Sequence, residues 1–142
     1  MRYLLDTDHL SIMQRQSGPE YAVLSARIAQ HPASELALSV ISFHEQVLGA
    51  QTYISRARNS SDLVRGYSML ERLLRDFATL SVLPFDAAAA AVFDGLVAQR
   101  IRVGTMDLRI ASIALSRSLV LLSRNSRDFR KVPGLVIEDW TV

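Results

Sequence analysis

The sequence contains no cysteine and a single lysine, Lys131. The protein therefore has no disulfide bond, no thiolate metal ligand and no cysteine nucleophile. Of its 16 basic residues, 15 are arginine, and 14 acidic residues bring the formal net charge to only +2. A net charge this small does not by itself indicate a nucleic-acid-binding protein.

Long hydrophobic runs are also missing. No apolar run reaches the roughly 18 residues that a membrane-spanning helix needs, and no basic stretch leads a hydrophobic one at the N-terminus, so we expect a cytoplasmic protein. What is present is a chain of 142 residues, 49% apolar and 21% charged, which indicates one folded domain spanning residues 1–142. The mean hydropathy of +0.17 is high for a monomer and favours a subunit interface.

Short apolar segments alternate with helical segments along the chain. The pattern predicts strands at 3–5, 36–40, 80–83 and 119–122, with a fifth at 135–137, and helices at 8–14, 20–30, 42–57, 62–78, 87–99 and 105–117. Ser42 is the predicted N-cap of the third helix, with Glu45 as its capping-box partner. The alternation predicts a three-layer α/β/α fold around a parallel sheet of four to five strands.

Four acidic residues stand at the boundaries of these elements. Asp6 ends the first strand, Glu45 begins the helix after the second strand, Asp107 lies in the first turn of the helix opened by Gly104-Thr105, and Asp128 follows the fourth strand. Because the carboxyl ends of parallel strands line the ligand crevice of such sheets, we expect all four at one edge.

Several carboxylates in one small site need a counter-cation, and Mg²⁺ and Mn²⁺ prefer carboxylate oxygens. Such a cation activates water and neutralises charge on a phosphate, so the predicted chemistry is hydrolysis of a phosphodiester. Each acid also has a simpler interpretation. Glu45 and Asp107 suit the first turn of a helix, and Asp128 suits a loop. Asp6 is harder to dismiss, because burial at the end of an apolar strand is costly without a partner.

The residues around these acids resemble the PIN-domain ribonucleases and, within them, the VapC toxins of bacterial toxin–antitoxin pairs. The resemblance rests on four motifs in order: YLLDTD at 3–8, SVISFHE at 39–45, GTMDLRIA at 104–111 and SRNSRDF at 123–129. The tail from Val132 to Trp140 also resembles this family. The resemblance therefore covers nearly the whole chain.

The resemblance implies an endoribonuclease that depends on Mg²⁺ or Mn²⁺. Asp6 and Asp107 resemble the principal metal ligands of the family, and Glu45 resembles the acid that assists the metal and the attacking water. Asp128 matches a fourth acid, which either binds a second metal or holds metal-bound water. Supporting polar positions are matched by Thr7, Thr105 and Asn125. The family often has asparagine where this chain has Asp8. That extra acid either joins the metal shell or caps the next helix, and we favour the cap.

The resemblance also implies partners: an RNA substrate, an antitoxin that covers a groove and reaches into the active site, and a second copy in a homodimer. The helices at 42–57 and 62–78, predicted to form an antiparallel pair, are the candidates for the antitoxin groove.

Basic side chains and two histidines surround the motifs. The candidates for contact with the RNA backbone are Arg102, Arg109, Arg124 and Arg127, and the alternative for each arginine is a solvated helix face with ion pairs. His9 and His44 flank Asp8 and Glu45, which makes a mixed zinc site conceivable but not favoured.

Two other functions fit part of the pattern. An apolar strand ending in Asp-x-Asp also occurs in phosphotransferases of the haloacid-dehalogenase type, with Asp6 as covalent nucleophile and Asp8 as acid and base. That class also needs a downstream lysine and an acidic pair, and it leaves Glu45 unexplained. The second alternative is a non-cleaving module of PIN fold that binds RNA or protein.

Overall fold

The computed structural model describes residues 1–142 and confirms the three-layer α/β/α fold. The strands are β1 (Tyr3–Leu5), β2 (Leu36–Ser39), β3 (Ser81–Leu83), β4 (Val120–Leu122) and β5 (Ile137–Glu138). The helices are α1 (Thr7–Arg15), α2 (Pro19–Ile28), α3 (Val40–Ser55), α4 (Ser60–Asp76), α5 (Ala87–Ala98), α6 (Thr105–Ser116) and α7 (Ser126–Phe129). A short 3-10 helix, Ala33–Glu35, leads into β2.

The five strands form one parallel sheet in the order β3-β2-β1-β4-β5. The side chains of alternate residues in the central strand β1 pack into two hydrophobic clusters, one on each face of the sheet. Leu4 packs with residues of α5 and α6 on one face, whereas Tyr3 and Leu5 pack with residues of α1 and α2 on the other. Because β1 is central and buried on both faces, the residue that follows it emerges at the middle of the sheet's carboxyl edge.

The third helix begins earlier than the sequence predicts. Ser39, not Ser42, is the N-cap of α3, and its hydroxyl accepts a hydrogen bond from the Ser42 amide at 3.0 Å. The predicted capping box is therefore wrong, and Glu45 lies beyond the first turn. Its position gives no reason to regard it as a helix-dipole acid.

Two further elements near the C-terminus differ from the prediction. Residues 126–129 form the short helix α7, which places Asp128 in a first helical turn and not in a loop. The fifth strand begins at Ile137 and pairs with β4, so the predicted strand at 135–137 is displaced toward the C-terminus.

The α3 and α4 helices pack against each other as predicted, and a glycine permits their close approach. A Cβ atom on Gly66 would lie 2.5 Å from Cγ1 of Ile54, well inside van der Waals contact. None of the helices is both long enough and apolar enough to cross a membrane.

Candidate active site

The four predicted acids converge at the carboxyl edge of the sheet. Asp6 follows β1, and its amide donates to the carbonyl of Leu122 at the end of the neighbouring strand β4. Helices α3, α6 and α7 bring Glu45, Asp107 and Asp128 to the same place, where burial and then the charges of neighbouring carboxylates raise the pKa of Asp6 and of Asp107.

Asp6 is the most buried of the four, at 5% exposure. One of its carboxylate oxygens accepts the Thr7 amide at 2.8 Å, and the other accepts the Ser123 hydroxyl at 2.7 Å. Asp6 is also the N-cap of α1. This carboxylate is therefore held in one orientation by the first residue of α1 and by the residue that follows β4.

Glu45 is held by a chain of hydroxyl groups. The Thr7 hydroxyl donates to Oε1 of Glu45 at 2.8 Å, so the Ser42 hydroxyl, 2.8 Å from Thr7, must be the donor in that second contact. Ser42 and Ser39, whose hydroxyl lies 3.4 Å from that of Ser42, are fully buried. The second carboxylate oxygen of Glu45 makes no hydrogen bond within the protein.

Asn125 joins the remaining two acids. Its amide nitrogen donates to Asp107 at 3.3 Å and to Asp128 at 3.2 Å. Asn125, predicted as a supporting polar residue, therefore contacts two of the acids. The Thr105 side chain, by contrast, is exposed and makes no hydrogen bond within the protein, although Thr105 begins α6 as predicted.

Burial and mutual repulsion change the acidity of the cluster. Burial, followed by the charges of Asp8 and Asp107, raises the pKa of Asp6 to about 7, despite hydrogen bonds from Ser123 and Thr7. Burial, then Glu45, Asp128 and Asp8, also raises the pKa of Asp107. At the exposed rim, the hydrogen bond from Asn125 and the nearby Lys131 lower the pKa of Asp128. The interior of the site is therefore short of positive charge.

Asp8 does not cap the following helix, so the favoured interpretation of this residue is wrong. Its carboxylate contacts the His9 ring at 2.7 Å and accepts the Arg124 amide at 2.9 Å. Burial would raise the pKa of Asp8, but these hydrogen bonds and the proximity of His9 lower it overall. His9 is fully buried, whereas His44 is not and makes no hydrogen bond.

Two further site residues, Ser42 and Ser123, were not predicted as such, and Ser42 was expected only to cap a helix. Ser123 donates to Asp6, and Ser42 contacts the Thr7 hydroxyl that holds Glu45. Both lie beyond the ends of buried strands, and Ser123 immediately follows β4. A polar residue in that position was the available signal.

The arginines fall into two groups. Arg102, Arg124 and Arg127 form no ion pair, and the charge of Arg127 reaches Asp128. Arg109 instead lies over the Phe93 ring at 5.8 Å and donates to the Met106 sulfur at 3.6 Å. Arg109 is thus occupied by packing against α5 in the isolated chain.

The donor set suits a hard divalent cation, although the side chains are not yet arranged around one. In this structure, no three histidine or acidic side chains lie in positions from which they could hold one metal ion together. The donors of the four acids are all carboxylate oxygens, and the pKa of Asp6 and of Asp107 is raised first by burial and then by the charges of neighbouring carboxylates. A cation that prefers oxygen ligands would neutralise the carboxylates and reduce the repulsion between them.

The haloacid-dehalogenase alternative finds no support at the site. The only lysine lies 3.5 Å from Asp128 and donates to the Arg102 carbonyl, and it makes no contact with Asp6 or Asp8. Glu45, which that alternative leaves unexplained, belongs to the same cluster of carboxylates.

Comparison with known proteins gives consistent relatives. The chain is 31% identical over 144 residues to the tRNA(fMet)-specific endonuclease VapC of Salmonella typhimurium, covering 99% of this chain and 98% of the relative. It is 27% identical over 145 residues to Ribonuclease VapC2 of Haemophilus influenzae, with 99% and 98% covered. No protein-family model matches the sequence.

Solved structures show the same fold. The chain superposes on DNA-bound VapBC from Salmonella typhimurium with a TM-score of 0.74 and 26% identity, covering 99% of this chain and 98% of that one. VapBC-1 from nontypeable Haemophilus influenzae gives a TM-score of 0.77 at 24% identity over the full length of both chains. The architecture described above is therefore that of these toxin–antitoxin proteins.

Proposed function

The chain belongs to the VapC family of PIN-domain ribonucleases, and on that premise we propose that it is a metal-dependent endoribonuclease, the toxin of a toxin–antitoxin pair. One observation carries the proposal. Carboxylates from four separate elements meet at the carboxyl edge of the sheet, and no arginine or lysine pairs with Asp6, Glu45 or Asp107. This arrangement favours a cationic ligand over a structural ion-pair network.

Asp6 and Asp107 are the residues proposed to hold Mg²⁺ or Mn²⁺, with Glu45 and Asp128 as further ligands. A divalent cation at this place supplies neutralisation of the carboxylates and of the phosphate charge, and it increases the acidity of bound water. The remaining chemistry belongs to the protein. Ser123 and the Thr7 amide orient Asp6, and Asn125 sets the separation of Asp107 and Asp128.

Glu45 is the candidate for accepting a proton from the attacking water. Thr7 fixes one of its carboxylate oxygens, and the other is available. A general base requires this combination of fixed orientation and a vacant acceptor. The acids serve as ligands and bases, and no residue becomes covalently attached to the substrate.

RNA is the proposed substrate. The relative in Salmonella typhimurium is a tRNA(fMet)-specific endonuclease, and the acids of this chain are bordered by arginines that form no ion pair. Arg124 and Arg127 lie on the segment that carries Asn125 and Asp128, and Arg102 lies beside Lys131, which contacts Asp128. Guanidinium groups in these positions suit the phosphate backbone, and the expected site of action is the cytoplasm.

An antitoxin and a second copy of the chain are the proposed protein partners. The similar structures include VapBC complexes. A groove of about 360 Å³ begins at Glu45 and runs between α1, α3 and α4, past Gln46, Met69 and Arg72. Apolar side chains are exposed on the same two long helices, at Leu48 of α3 and at Leu63, Val64, Tyr67 and Leu74 of α4. These surfaces support an antitoxin on the α3–α4 pair and leave apolar area for a homodimer.

Cleavage of a mixed RNA pool tests the proposal. Purified protein is compared with Asp6→Asn in Mg²⁺, in Mn²⁺ and with a chelator. We expect cutting that requires the cation and is abolished by the substitution. Cleavage that survives the chelator or the substitution would overturn the assigned site, whereas stable RNA binding without cleavage would favour the non-cleaving alternative.

A further inference from the structure

His9 bridges the C-terminal segment and the active site from a fully buried position. The backbone amide of Trp140 donates to Nε2 of His9 at 3.1 Å, so Nε2 is the unprotonated acceptor. Nδ1 of the neutral ring then carries the proton and donates to Oδ1 of Asp8 at 2.7 Å. The two hydrogen bonds together fix both the tautomer and the orientation of the ring.

The support on the far side of His9 is rigid. The indole of Trp140 lies 4.7 Å from the Tyr3 ring and 4.9 Å from the His31 ring, measured between centroids, and the Arg27 guanidinium covers it at 4.9 Å. Trp140 is only 1% exposed. Its backbone amide is therefore a fixed reference point for His9.

Asp8, which is hydrogen-bonded to His9, also contacts the segment that follows β4. Oδ2 of Asp8 accepts the Arg124 amide at 2.9 Å and lies 3.3 Å from the Ser123 hydroxyl. That hydroxyl donates to Asp6 at 2.7 Å, and the next residue along, Asn125, bridges Asp107 and Asp128. Asp8 is thus one of the groups that place the 123–125 segment, which contacts Asp6, Asp107 and Asp128.

We propose that His9 is a positioning residue for RNA cleavage, acting through Asp8 to place the 123–125 segment, an inference that rests on the proposed function. Histidine is needed because one ring nitrogen accepts a hydrogen bond from Trp140 while the other donates one to Asp8. No side chain of another type offers both groups at this spacing on one rigid ring. Asp8 is likewise a positioning residue and not a helix cap.

Two substitutions separate the two hydrogen bonds of His9. The amide of His9→Asn places a donor near the position of Nδ1, so it keeps the bond to Asp8 and loses the bond to Trp140. The longer side chain of His9→Gln places an acceptor near the position of Nε2, so it keeps the bond to Trp140 and loses the donor to Asp8. Each variant forfeits one buried hydrogen bond, and His9→Gln loses the one to a charged partner, so the melting temperature of both variants is measured beside kcat.

We expect His9→Gln to lower kcat for RNA cleavage by about tenfold or more, the usual cost of removing a hydrogen bond that orients a ligand group. His9→Asn is expected to keep kcat within about threefold of the wild type, since its bond to Asp8 survives. In an Asp8→Ala background, His9→Gln should lower kcat no further, because nothing remains to be positioned. Equal losses of kcat in the two variants, or a full effect of His9→Gln without Asp8, would overturn the inference.

The hydrogen bond from the Arg124 amide to Asp8 can be tested without RNA, by measuring the exchange rate of this amide with NMR. We expect protection of this amide in the wild type and in His9→Asn, and faster exchange in His9→Gln and Asp8→Ala. Unchanged protection in His9→Gln would contradict the positioning role. If the wild type fails to cleave RNA, the proposed function fails, while the exchange pattern still decides whether His9 places the segment.

Discussion

At the scale of single residues, the central feature is a buried carboxylate that is unfavourable for folding. Burial and two neighbouring acids raise the pKa of Asp6 from 3.8 to about 7. Between these two values the folded state binds a proton that the unfolded state has released. The contribution of Asp6 to stability is therefore fully present below pH 4 and is lost as the pH rises through about 7. Asp107 acts in the same direction, whereas Asp8 and Asp128 act in the opposite one.

Asp6→Asn removes this dependence. In chelator, we expect the substitution to raise the melting temperature at pH 8 and to change it much less at pH 5, where Asp6 is protonated in the wild type. Thermal unfolding at the two pH values measures the difference. Asp128→Asn, at the exposed rim, is the control. An equal change of melting temperature at both pH values would show that the surroundings of Asp6 do not raise its pKa.

The hydroxyl of Thr7 gives a second prediction at this scale. Thr7→Ser keeps the hydrogen bond to Glu45, while Thr7→Val removes it with little change of shape. We expect Thr7→Val to reduce kcat about tenfold, since a hydrogen bond to a charged group contributes roughly 1.5–3 kcal/mol. Thr7→Ser should stay close to the wild type in the same cleavage assay. Equal activity in both variants would remove Thr7 from the site.

The contacts of individual residues were also the hardest to predict. The acids could be predicted from strand ends, because parallel topology brings these ends together. The role of Asp8 could not, since its partner Arg124 lies 116 residues away, and the partner of His9, Trp140, lies 131 residues away. Pairings between such distant residues leave no local pattern.

At the scale of elements, most helices and strands were predictable from periodicity, and the errors have local causes. Val40 and Ile41 are β-branched and favour a strand, so the sequence places the end of β2 one residue late and the start of α3 at Ser42. The chain instead turns into a helix at Ser39, whose hydroxyl caps the new helix. The β5 strand has two residues at the sheet edge, too few for a pattern of alternation.

The crossing of α3 and α4 yields a stability prediction. A methyl group on Gly66 would press against Ile54, so we expect Gly66→Ala to lower the free energy of unfolding by about 1–3 kcal/mol. Gly49, in α3, has no neighbouring atom within 4 Å of the position that a methyl group would take, and Gly49→Ala should instead add about 0.5–1 kcal/mol. Urea denaturation of both variants provides the comparison. Stabilisation by both substitutions would contradict the close packing of the helix pair.

At the scale of the whole molecule, exposed apolar side chains on α4 are the clearest unpaired surface. Tyr67 is 59% exposed and Leu74 69% exposed. If the α3–α4 pair holds the antitoxin, Tyr67→Ser combined with Leu74→Ser should weaken antitoxin binding by about tenfold or more, as loss of buried apolar anchors does. RNA cleavage by the free toxin should not change.

Calorimetry with the cognate antitoxin measures this effect. Val136→Ser is the matched control, because Val136 is 56% exposed but lies outside the helix pair. Unchanged antitoxin affinity with a loss of dimer in analytical ultracentrifugation would assign this face of α4 to a second copy of the chain.

The origin of the oxygen atom at the cut shows whether the carboxylate cluster activates water. RNA is cleaved by the protein in Mn²⁺ and ¹⁸O-labelled water, and the new ends are examined by mass spectrometry. If the carboxylate cluster activates water for attack on the phosphodiester, the terminal phosphate carries ¹⁸O, and Asp6→Asn yields no such product. Cyclic 2′,3′-phosphate ends without the label, formed by attack of the RNA's own 2′-hydroxyl, would show that the cluster does not activate water for this attack.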